Sequence, residues 1–383
     1  MHRSKPQIHT VVLQPTPFCN IQCKYCYLPQ RDDKSVMNLE TVIASFQRLF
    51  ESEFAGSHIT VIWHAGEPLV LPVSYYESAF AAIERLRPAN VYIQHSFQTN
   101  GTLLSKAWCD LFRRWKVGVG VSVDGPRDLH DKNRVTRSGK GTFDRAIAGI
   151  RLLKQEGIPF HTISVLSKEG LERAEDYHAF FLEEGIKDVC FNVEESEGQH
   201  VSELMNLSRE RMREKFQAFL YQFWTISRQN PGIAFIREID GLIPRIFRSE
   251  DSPVSNDQVE PLAMLNIDCK GNVSSFSPEL LGYTNERYNN FIVGNVHQNT
   301  LQEMLDSPAM QAMVTDIRAG VDACRRECDY FSICGGGAPI NKLSENGCFE
   351  STQTSFCNLI QITPANLILQ AFDQMEERLA VCA

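Results

Sequence analysis

Hydrophobic and polar positions follow two alternating patterns over the first half of the chain. Six short β-rich runs are predicted as strands, at residues 8–14, 58–63, 91–97, 117–123, 160–166 and 188–193. Stretches of helical period separate them, most clearly at 38–54, 105–115, 142–156 and 171–184. Parallel strands need crossover connections, so this order predicts an α/β fold, a partial (β/α)6 TIM-like barrel, with its site at the carboxyl ends of the strands.

The pattern divides the chain into three predicted segments. Residues 1–205 form the partial barrel, residues 206–260 a helical bridge and linker, and residues 261–383 a cysteine-rich domain. The bridge carries an aromatic-rich helical stretch at 206–229, and a polar, proline-bearing stretch at 249–261 marks its end. A final helix is predicted from about residue 364 to 379.

Composition narrows the function classes. The net charge is −9, which argues against a nucleic-acid-binding or anionic-membrane surface. No apolar run is long enough to span a membrane, and residues 1–8 lack a signal-peptide pattern, so we expect a cytoplasmic protein with reduced thiols. The 12 cysteines therefore indicate metal binding or catalysis rather than disulfides.

The first cysteine cluster follows the first predicted strand. Cys19, Cys23 and Cys26 have the spacing C-x3-C-x2-C. Three thiolates on one short loop suit three irons of a 4Fe–4S cube, and the missing fourth ligand leaves one iron open. The alternatives are a zinc knuckle or three buried thiols. Zinc ribbons favour two C-x2-C pairs, and no second pair follows here.

This segment resembles the signature of the radical SAM superfamily, with Tyr25 just before the third cysteine. The resemblance covers the six strand–helix units. It implies a 4Fe–4S cluster on Cys19, Cys23 and Cys26, with S-adenosylmethionine (SAM) chelating the open iron. One electron would split SAM into methionine and a 5′-deoxyadenosyl radical, which abstracts a hydrogen atom from the substrate.

The resemblance also implies a set of SAM contacts. These are Tyr25, Gly66, Glu67, Pro68, Ser122, Asp124, Arg134 and Val193. Residues 66–68 match the family's GEP motif, which receives the SAM amino group. Ser122 and Asp124 would lie near the ribose, Arg134 would pair with the carboxylate, and Val193 would lie near adenine. The alternative for Arg134 is a solvated surface charge, and for Asp124 an Asx turn.

A second group of thiols lies far down the chain. It comprises Cys324, Cys328, Cys334 and Cys357, with a glycine run at 335–337. Four thiolates complete a closed iron–sulfur cluster. The pattern resembles the SPASM extension of radical SAM enzymes that modify peptides, which implies an auxiliary 4Fe–4S cluster on these four residues.

Two departures from the SPASM pattern change the expected cofactor content. Phe276 and Ala338 stand where two cysteine ligands of a further auxiliary cluster would be, so we expect one auxiliary cluster. Cys269 and Cys348 are the residues that would support a second. Anaerobic sulfatase-maturating enzymes carry a catalytic aspartate where this chain has Ser277, so formylglycine synthesis is the weaker alternative.

Several longer runs resemble a narrower group. Residues 191–198, 276–282, 294–296 and 330–342 look like the Grr-type (glycine-rich-repeat) peptide maturases. These enzymes are similar to others that build three-residue cyclophanes in ribosomally synthesised precursor peptides (RiPPs). The resemblance implies a carbon–carbon crosslink between an aromatic ring and the β-carbon of a residue two positions later. It implies a precursor peptide and a flavodoxin- or ferredoxin-type electron donor as partners.

That reaction requires a base and an electron acceptor. After the carbon radical adds to the ring, the ring must lose one electron and one proton. The auxiliary cluster is the expected acceptor, and Glu279, Glu194 and Asp268 are candidate bases, with Glu279 first. A surface or capping role is the alternative for each carboxylate.

Other functions stay open. A radical SAM maturase making a thioether or an α-carbon crosslink would share the same cofactors. A cysteine-rich zinc protein or electron carrier would give no role to Glu67 or Arg134. Few residues precede the first predicted strand, so recognition of a leader peptide is expected from the 206–248 helices or from another protein.

Overall fold

The computed structural model describes residues 6–28, 30–195, 202–249, 252 and 254–382, without the side chains of 205 and 376–382. Residues 196–198 of the 191–198 run lie outside that description. The strands are β1 Ile8–Leu13, β2 Ile21–Cys23, β3 Ala55–Trp63, β4 Tyr92–Thr99, β5 Gly118–Ser122, β6 Arg134–Thr136, β7 His161–Leu166, β8 Asp188–Val193, β9 Phe235–Ile236, β10 Met264–Ile267, β11 Asn272–Ser275 and β12 Gly294–Asn295.

The helices alternate with these strands and then dominate the C-terminal part. They are α1 Leu39–Glu51, α2 Val73–Leu86, α3 Lys106–Trp115, α4 Arg127–Asn133, α5 Phe143–Gln155, α6 Ala174–Glu184, α7 Arg209–Gln229, α8 Arg237–Asp240, α9 Ile243–Ile246, α10 Leu301–Leu305, α11 Pro308–Glu327, α12 Phe331–Cys334, α13 Pro339–Asn346, α14 Ser355–Cys357 and α15 Thr363–Cys382. A π-helical turn, Asn358–Ile362, joins α14 to α15. Among the described residues, no helix is long and apolar enough to cross a membrane.

The main sheet confirms the predicted α/β partial barrel. Its order is β12-β11-β10-β1-β3-β4-β5-β7-β8-β9, and the six predicted strands β1, β3, β4, β5, β7 and β8 pair in parallel. A helix lies in each crossover. Helix α2, between β3 and β4, was not among the helices that the periodicity predicted most clearly. The carboxyl ends of the six strands therefore share one edge, where sites form in such sheets.

The C-terminal segment joins the same sheet. Strand β10 pairs in parallel with β1, and β11 and β12 continue it in antiparallel order. Residues more than 250 positions apart therefore lie side by side, for example Val11 and Leu265. The boundaries 1–205, 206–260 and 261–383 stay a prediction, but this pairing ties the third segment directly to the first.

Aromatic packing fixes α7 against the barrel. Phe219 and Phe223 of α7 contact Phe191 of β8 at ring-centroid distances of 5.1 and 4.9 Å, and Phe219 contacts Tyr177 of α6 at 5.5 Å. All four rings are buried. Edge-to-face aromatic pairs add about 0.5–1.5 kcal/mol each beyond burial. Helix α7 also contacts α15, so it connects the barrel with the C-terminal part.

Helix α1 offers a test of local sequence control. The Asn38 side chain accepts the Thr41 backbone N–H at 2.7 Å as an N-cap, whereas Ser105, at the same position of α3, makes no side-chain cap bond. Both side chains are exposed. We expect Asn38→Ala to lower the free energy of unfolding by about 1 kcal/mol and Ser105→Ala to change it much less. Urea denaturation of both variants checks this, and equal losses would contradict the capping role.

Candidate active site

The first cysteine motif lies on the loop that follows β1 and includes β2. Arg137 donates to the Cys19 carbonyl oxygen through Nε at 3.1 Å and Nη2 at 2.8 Å. Arg31 Nη1 donates to the Cys23 carbonyl oxygen at 3.0 Å. Two guanidinium groups thus hold the backbone of this loop, and the side chains of all three cysteines line one cavity.

That cavity has a volume of about 380 Å³ and lies at the carboxyl edge of the barrel strands. A volume of this size is within the range of small-molecule sites. The sequence-predicted residues that line it are Cys19, Cys23, Cys26, Tyr25, Gly66, Glu67, Ser122, Arg134, Val193 and Glu279. The structure therefore brings most of the predicted site together. Pro68, Asp124, Glu194 and Asp268 are not part of this lining.

The thiols of this loop are suited to binding a cationic group as thiolates. Burial raises the pKa of Cys19 to about 12, with further contributions from Glu67, Cys23 and Cys26. Burial likewise raises the pKa of Cys23 to about 11. A thiolate at these positions needs a bound cation to be stable at neutral pH, because thiolate is the metal-binding form. The donor set fits a cluster held by three cysteines.

The loop after β3 is held by a buried carboxylate. Glu67 is 1% exposed. Its oxygens accept hydrogen bonds from Thr99 Oγ1 at 2.6 Å, the Asn100 backbone N–H at 2.7 Å and the Leu69 backbone N–H at 3.0 Å. Burial raises the pKa of Glu67 to about 7, against the lowering effect of these bonds. Glu67 thereby joins the ends of β3 and β4 beside the cysteine loop.

Gly66 is required by the close approach of this loop to the cysteine loop. Its φ is +58°, and a Cβ atom there would lie 2.4 Å from the Phe18 carbonyl oxygen and 2.5 Å from that of Thr16. The Glu67 backbone N–H donates to the same Phe18 oxygen at 2.8 Å. Any larger residue would push the two loops apart.

Arg134 and Asp124 form a buried ion pair behind the cysteines. Their side chains are 8% and 1% exposed, and Nε lies 3.0 Å from Oδ1. Asp124 also accepts from the Tyr25 hydroxyl at 2.5 Å and from the Val165 N–H at 3.0 Å. Burial disfavours the guanidinium charge, but Asp124, Tyr25 and Cys23 together outweigh it, and the pKa of Arg134 lies above its usual value. A solvated surface charge is thus excluded for Arg134, and Asp124 bridges elements rather than closing an Asx turn.

Arg134 also contacts the first cysteine group directly. Its Nη1 lies 3.9 Å from Cys23 Sγ, and strand β6 pairs with β2 so that Arg134 stands opposite Cys23. This antiparallel pair was not predicted from the sequence, because strands of three residues carry little periodic signal. It places a permanent cation beside the thiols and at the cavity wall.

Among the three candidate bases, Glu279 reaches the cavity. It lies on a short 3-10 turn after β11, accepts a hydrogen bond from the Ser277 hydroxyl and is half-buried. Burial raises the pKa of Glu279 above its usual value. Ser277 is itself buried and lines the same cavity.

The other two candidate bases lie elsewhere. Glu194 lines an adjoining, mainly apolar cavity of about 160 Å³ with Leu204 and Met212. Asp268 closes the β10–β11 turn: its oxygens accept from the Lys270 N–H at 2.8 Å, the Asn272 N–H at 2.9 Å and the Asn272 side-chain amide at 2.8 Å. Its place in the sequence did not reveal that turn role.

Several cavity residues escaped the sequence analysis. His64 directly follows β3, and burial lowers its pKa to about 4. Asn100 directly follows β4, and its amide lies 3.9 Å from Cys19 Sγ. Glu195 follows β8 and accepts from the Asn341 side chain. The available signal was their position, since polar residues just after parallel strands lie at the site edge.

The second thiol group belongs to the C-terminal segment, and two of its four members line a smaller, separate cavity. Burial raises the pKa of Cys328 and Cys357, and neighbouring thiols of the group add to both shifts. A smaller cavity of about 80 Å³ opens beside Cys334 and Cys357. Gln258 and Phe356 line both this space and the large cavity. The cavity of the first thiol group and the cavity beside Cys334 and Cys357 therefore share part of their lining.

The assignment of the four thiols to an auxiliary cluster stays a prediction. Within the described part of the chain, no three His, Cys, Asp or Glu side chains lie close enough to share one ion. An iron–sulfur cube binds differently, because each thiolate takes its own iron. Cys269 lies in a separate cavity beside Asp268, and Cys348 lies in the loop after α13. The number of auxiliary clusters stays a prediction.

Comparison with known proteins shows which family this chain resembles. A model of the radical SAM superfamily matches residues 13–181. An uncharacterized protein of Synechocystis, sll1766, is 38% identical over 95% of this chain and 92% of its own length. A serine-type anaerobic sulfatase-maturating enzyme of Bacteroides thetaiotaomicron is 26% identical over 89% of this chain and 84% of its own.

Solved structures share the fold. Native anSMEcpe with bound AdoMet and Cp18Cys peptide has a TM-score of 0.78 at 21% identity, covering 98% of this chain and 99% of that one. Streptococcus suis SuiB bound to its precursor peptide SuiA has a TM-score of 0.61 at 16% identity, covering 92% and 76%. At these identities the likeness is one of architecture, barrel and C-terminal part together.

Gly66 allows a test of the loop contact. We expect Gly66→Ala to lose more stability than Gly157→Ala, whose φ is +66° but whose Cβ would meet nothing within 4 Å. Both substitutions carry the left-handed backbone penalty of about 1–2 kcal/mol, and only Gly66 adds a clash costing about 1–3 kcal/mol. Urea denaturation, with an iron count after anaerobic reconstitution, measures both effects. Equal stability and equal iron would refute the contact.

Proposed function

The chain belongs to the radical SAM superfamily, and on that premise we propose that it crosslinks a ribosomally synthesised precursor peptide. The proposed bond joins an aromatic ring to the β-carbon of a residue two positions later and closes a three-residue cyclophane. This is the bond that the resemblance to the Grr-type maturases implies. One observation carries the proposal: a single cavity is lined by Cys19, Cys23 and Cys26 and also by Glu279 and Phe356.

The protein is a radical SAM enzyme, and its residues divide between three bound groups. Cys19, Cys23 and Cys26 would hold the SAM-cleaving 4Fe–4S cluster. SAM would be held by cavity-lining residues, namely Tyr25, Gly66, Glu67, Ser122, Arg134 and Val193. Pro68 and Asp124, which do not line the cavity, complete the proposed SAM contacts. Cys324, Cys328, Cys334 and Cys357 would hold one auxiliary 4Fe–4S cluster. When bound, these groups supply hydrogen-atom abstraction from the substrate and a place for the electron that it then loses.

Glu279 would take the proton that the ring releases. The crosslink removes two hydrogen atoms from the peptide, one as an atom and one as a proton and an electron. A carboxylate whose pKa is raised by burial is a stronger base than an exposed one. The Ser277 hydroxyl donates to Glu279 and orients it at the cavity wall. Glu194 and Asp268 face other surroundings, which favours Glu279 among the three.

A peptide substrate is supported by the relatives. Two structural neighbours were solved with a bound peptide, and the relative from Bacteroides thetaiotaomicron is a sulfatase-maturating enzyme. Formylglycine synthesis is the less favoured alternative because buried Ser277 stands where those enzymes carry an aspartate. The buried side chains of Phe276 and Ala338 leave two ligands of a further cluster absent. A flavodoxin- or ferredoxin-type protein is the proposed electron donor.

Product analysis tests the proposal. Anaerobic enzyme reconstituted with iron and sulfide would be incubated with SAM, dithionite and synthetic peptides of glycine-rich repeats containing an aromatic residue. Loss of two hydrogen atoms, with fragmentation and NMR locating a ring-to-β-carbon bond, supports the cyclophane. A thioether or α-carbon linkage would replace the proposed bond by the related alternative. Conversion of a serine- or cysteine-containing sulfatase peptide instead would overturn the proposal.

Cys334 separates hydrogen abstraction from product formation. We expect Cys334→Ala to bind about four irons per chain instead of about eight, to keep cleaving SAM and to lose the crosslinked product. Cys26→Ala should abolish SAM cleavage, and Cys109→Ala, which changes a buried side chain of α3, should retain both activities. Iron analysis, 5′-deoxyadenosine yield and peptide mass spectrometry make the comparison. Normal product from Cys334→Ala would remove the electron-acceptor role.

Glu279 allows a pH test. A base must be deprotonated, so crosslinking should rise with pH through a pKa above the usual carboxyl value. Glu279→Gln should lower the crosslinking rate about 10²-fold or more, remove that acid limb and leave 5′-deoxyadenosine formation. The matched change Glu194→Gln lies in the adjoining cavity and should keep the acid limb. The opposite pattern would assign the base to Glu194.

A further inference from the structure

A buried lysine touches the second thiol group. Lys342 is 3% exposed. Its Nζ lies 3.3 Å from Cys324 Sγ, and Cys324 is itself buried. Among the described residues, this sulfur is the hydrogen-bonding or ionic partner found for Nζ. A buried ammonium without a carboxylate partner is costly unless another anion faces it.

The position of Lys342 within its helix does not stabilise its positive charge. Lys342 lies in the first turn of α13, which begins at Pro339. The N-terminal end of a helix carries partial positive charge and disfavours a cation. Neither solvent nor the helix therefore stabilises this ammonium. The neighbouring group that can stabilise the ammonium is a thiolate at Cys324.

The packing around Nζ is specific for the lysine. A Cβ at Gly320 of α11 would lie 3.1 Å from Nζ and 2.1 Å from the Phe349 carbonyl oxygen. The absence of a side chain at Gly320 thus opens the path by which Lys342 reaches Cys324, one turn further along α11. The neighbouring residues Ile340 and Asn341 line the large cavity, so the same helical turn faces both the substrate space and the thiol group.

We propose that Lys342 is a positioning residue that acts through Cys324 and raises the reduction potential of the auxiliary cluster. One-electron reduction adds one negative charge to a cluster that four thiolates already make anionic. A fixed ammonium in hydrogen-bond contact with one of those sulfurs stabilises the reduced form more than the oxidised form. This inference rests on the proposed cluster at Cys324, Cys328, Cys334 and Cys357.

The experiment is a redox titration in the full-length Cys26→Ala protein, where the auxiliary cluster is the remaining iron–sulfur group. Lys342→Met keeps the length of the side chain and removes its charge. We expect full iron loading and a reduction equilibrium shifted at least tenfold toward the oxidised form, about 59 mV for one electron. Anaerobic titration followed by electron paramagnetic resonance (EPR) measures the shift.

A matched control separates this contact from a general change in charge. Arg325 is adjacent to Cys324 in sequence, but its side chain is 59% exposed and pairs with Asp322. Arg325→Gln removes one positive charge from the same helix and should leave the potential unchanged, because solvent screens it. An unchanged potential in fully loaded Lys342→Met, or an equal shift in both variants, overturns the inference.

A loading failure is also informative. If Lys342→Met binds no iron, Lys342→Arg decides: loading with a potential near that of the parent supports the charge, and failure of both variants shows a purely steric role. If the Cys26→Ala parent itself binds no iron, the cluster assignment fails rather than the role of Lys342. The two failures are therefore distinguishable.

Discussion

The buried ion pair between Arg134 and Asp124 is the contact on which the candidate site depends. It connects the cysteine loop, through the β2–β6 pairing and the Tyr25 hydroxyl, to the ends of β5 and β7. Removing one partner of such a pair leaves an uncompensated buried charge, at about 3–5 kcal/mol. The same guanidinium faces Cys23 Sγ. One interaction thus fixes the loop and sets the charge beside its thiols.

The second constraint is the parallel pairing of β10 with β1. It brings the C-terminal segment to the mouth of the barrel, so that Glu279 lines the same cavity as the first thiol group. Hydrogen bonds within the C-terminal segment then fix Phe356, which lines the same cavity. Glu345 accepts the backbone N–H of Ser355 and of Phe356, the latter at 3.0 Å, and thereby holds the short helix that carries Phe356 and Cys357. Phe356 thereby lines both the large cavity and the smaller cavity beside Cys357.

Charge is distributed to match this arrangement. Each thiol group has a cation in contact with one sulfur, Arg134 at Cys23 and Lys342 at Cys324. Both cations are buried in a chain whose net charge is −9. The carboxylates Glu67 and Glu279 line the large cavity, each with its pKa raised by burial. The large cavity therefore combines the positive charge of Arg134 with two buried carboxyl groups whose proton affinity is raised.

The sequence by itself determined the six parallel strands, the helices between them and the two thiol groups, because period and cysteine spacing are local signals. It also predicted ten of the residues that line the large cavity, mainly because residues after parallel strands converge on one edge. Only the tertiary structure decided that Asp268 closes a turn, that Glu194 faces a neighbouring cavity, and that Arg134 pairs with Asp124 and Lys342 with Cys324. Those facts depend on contacts between distant segments, which no local pattern encodes.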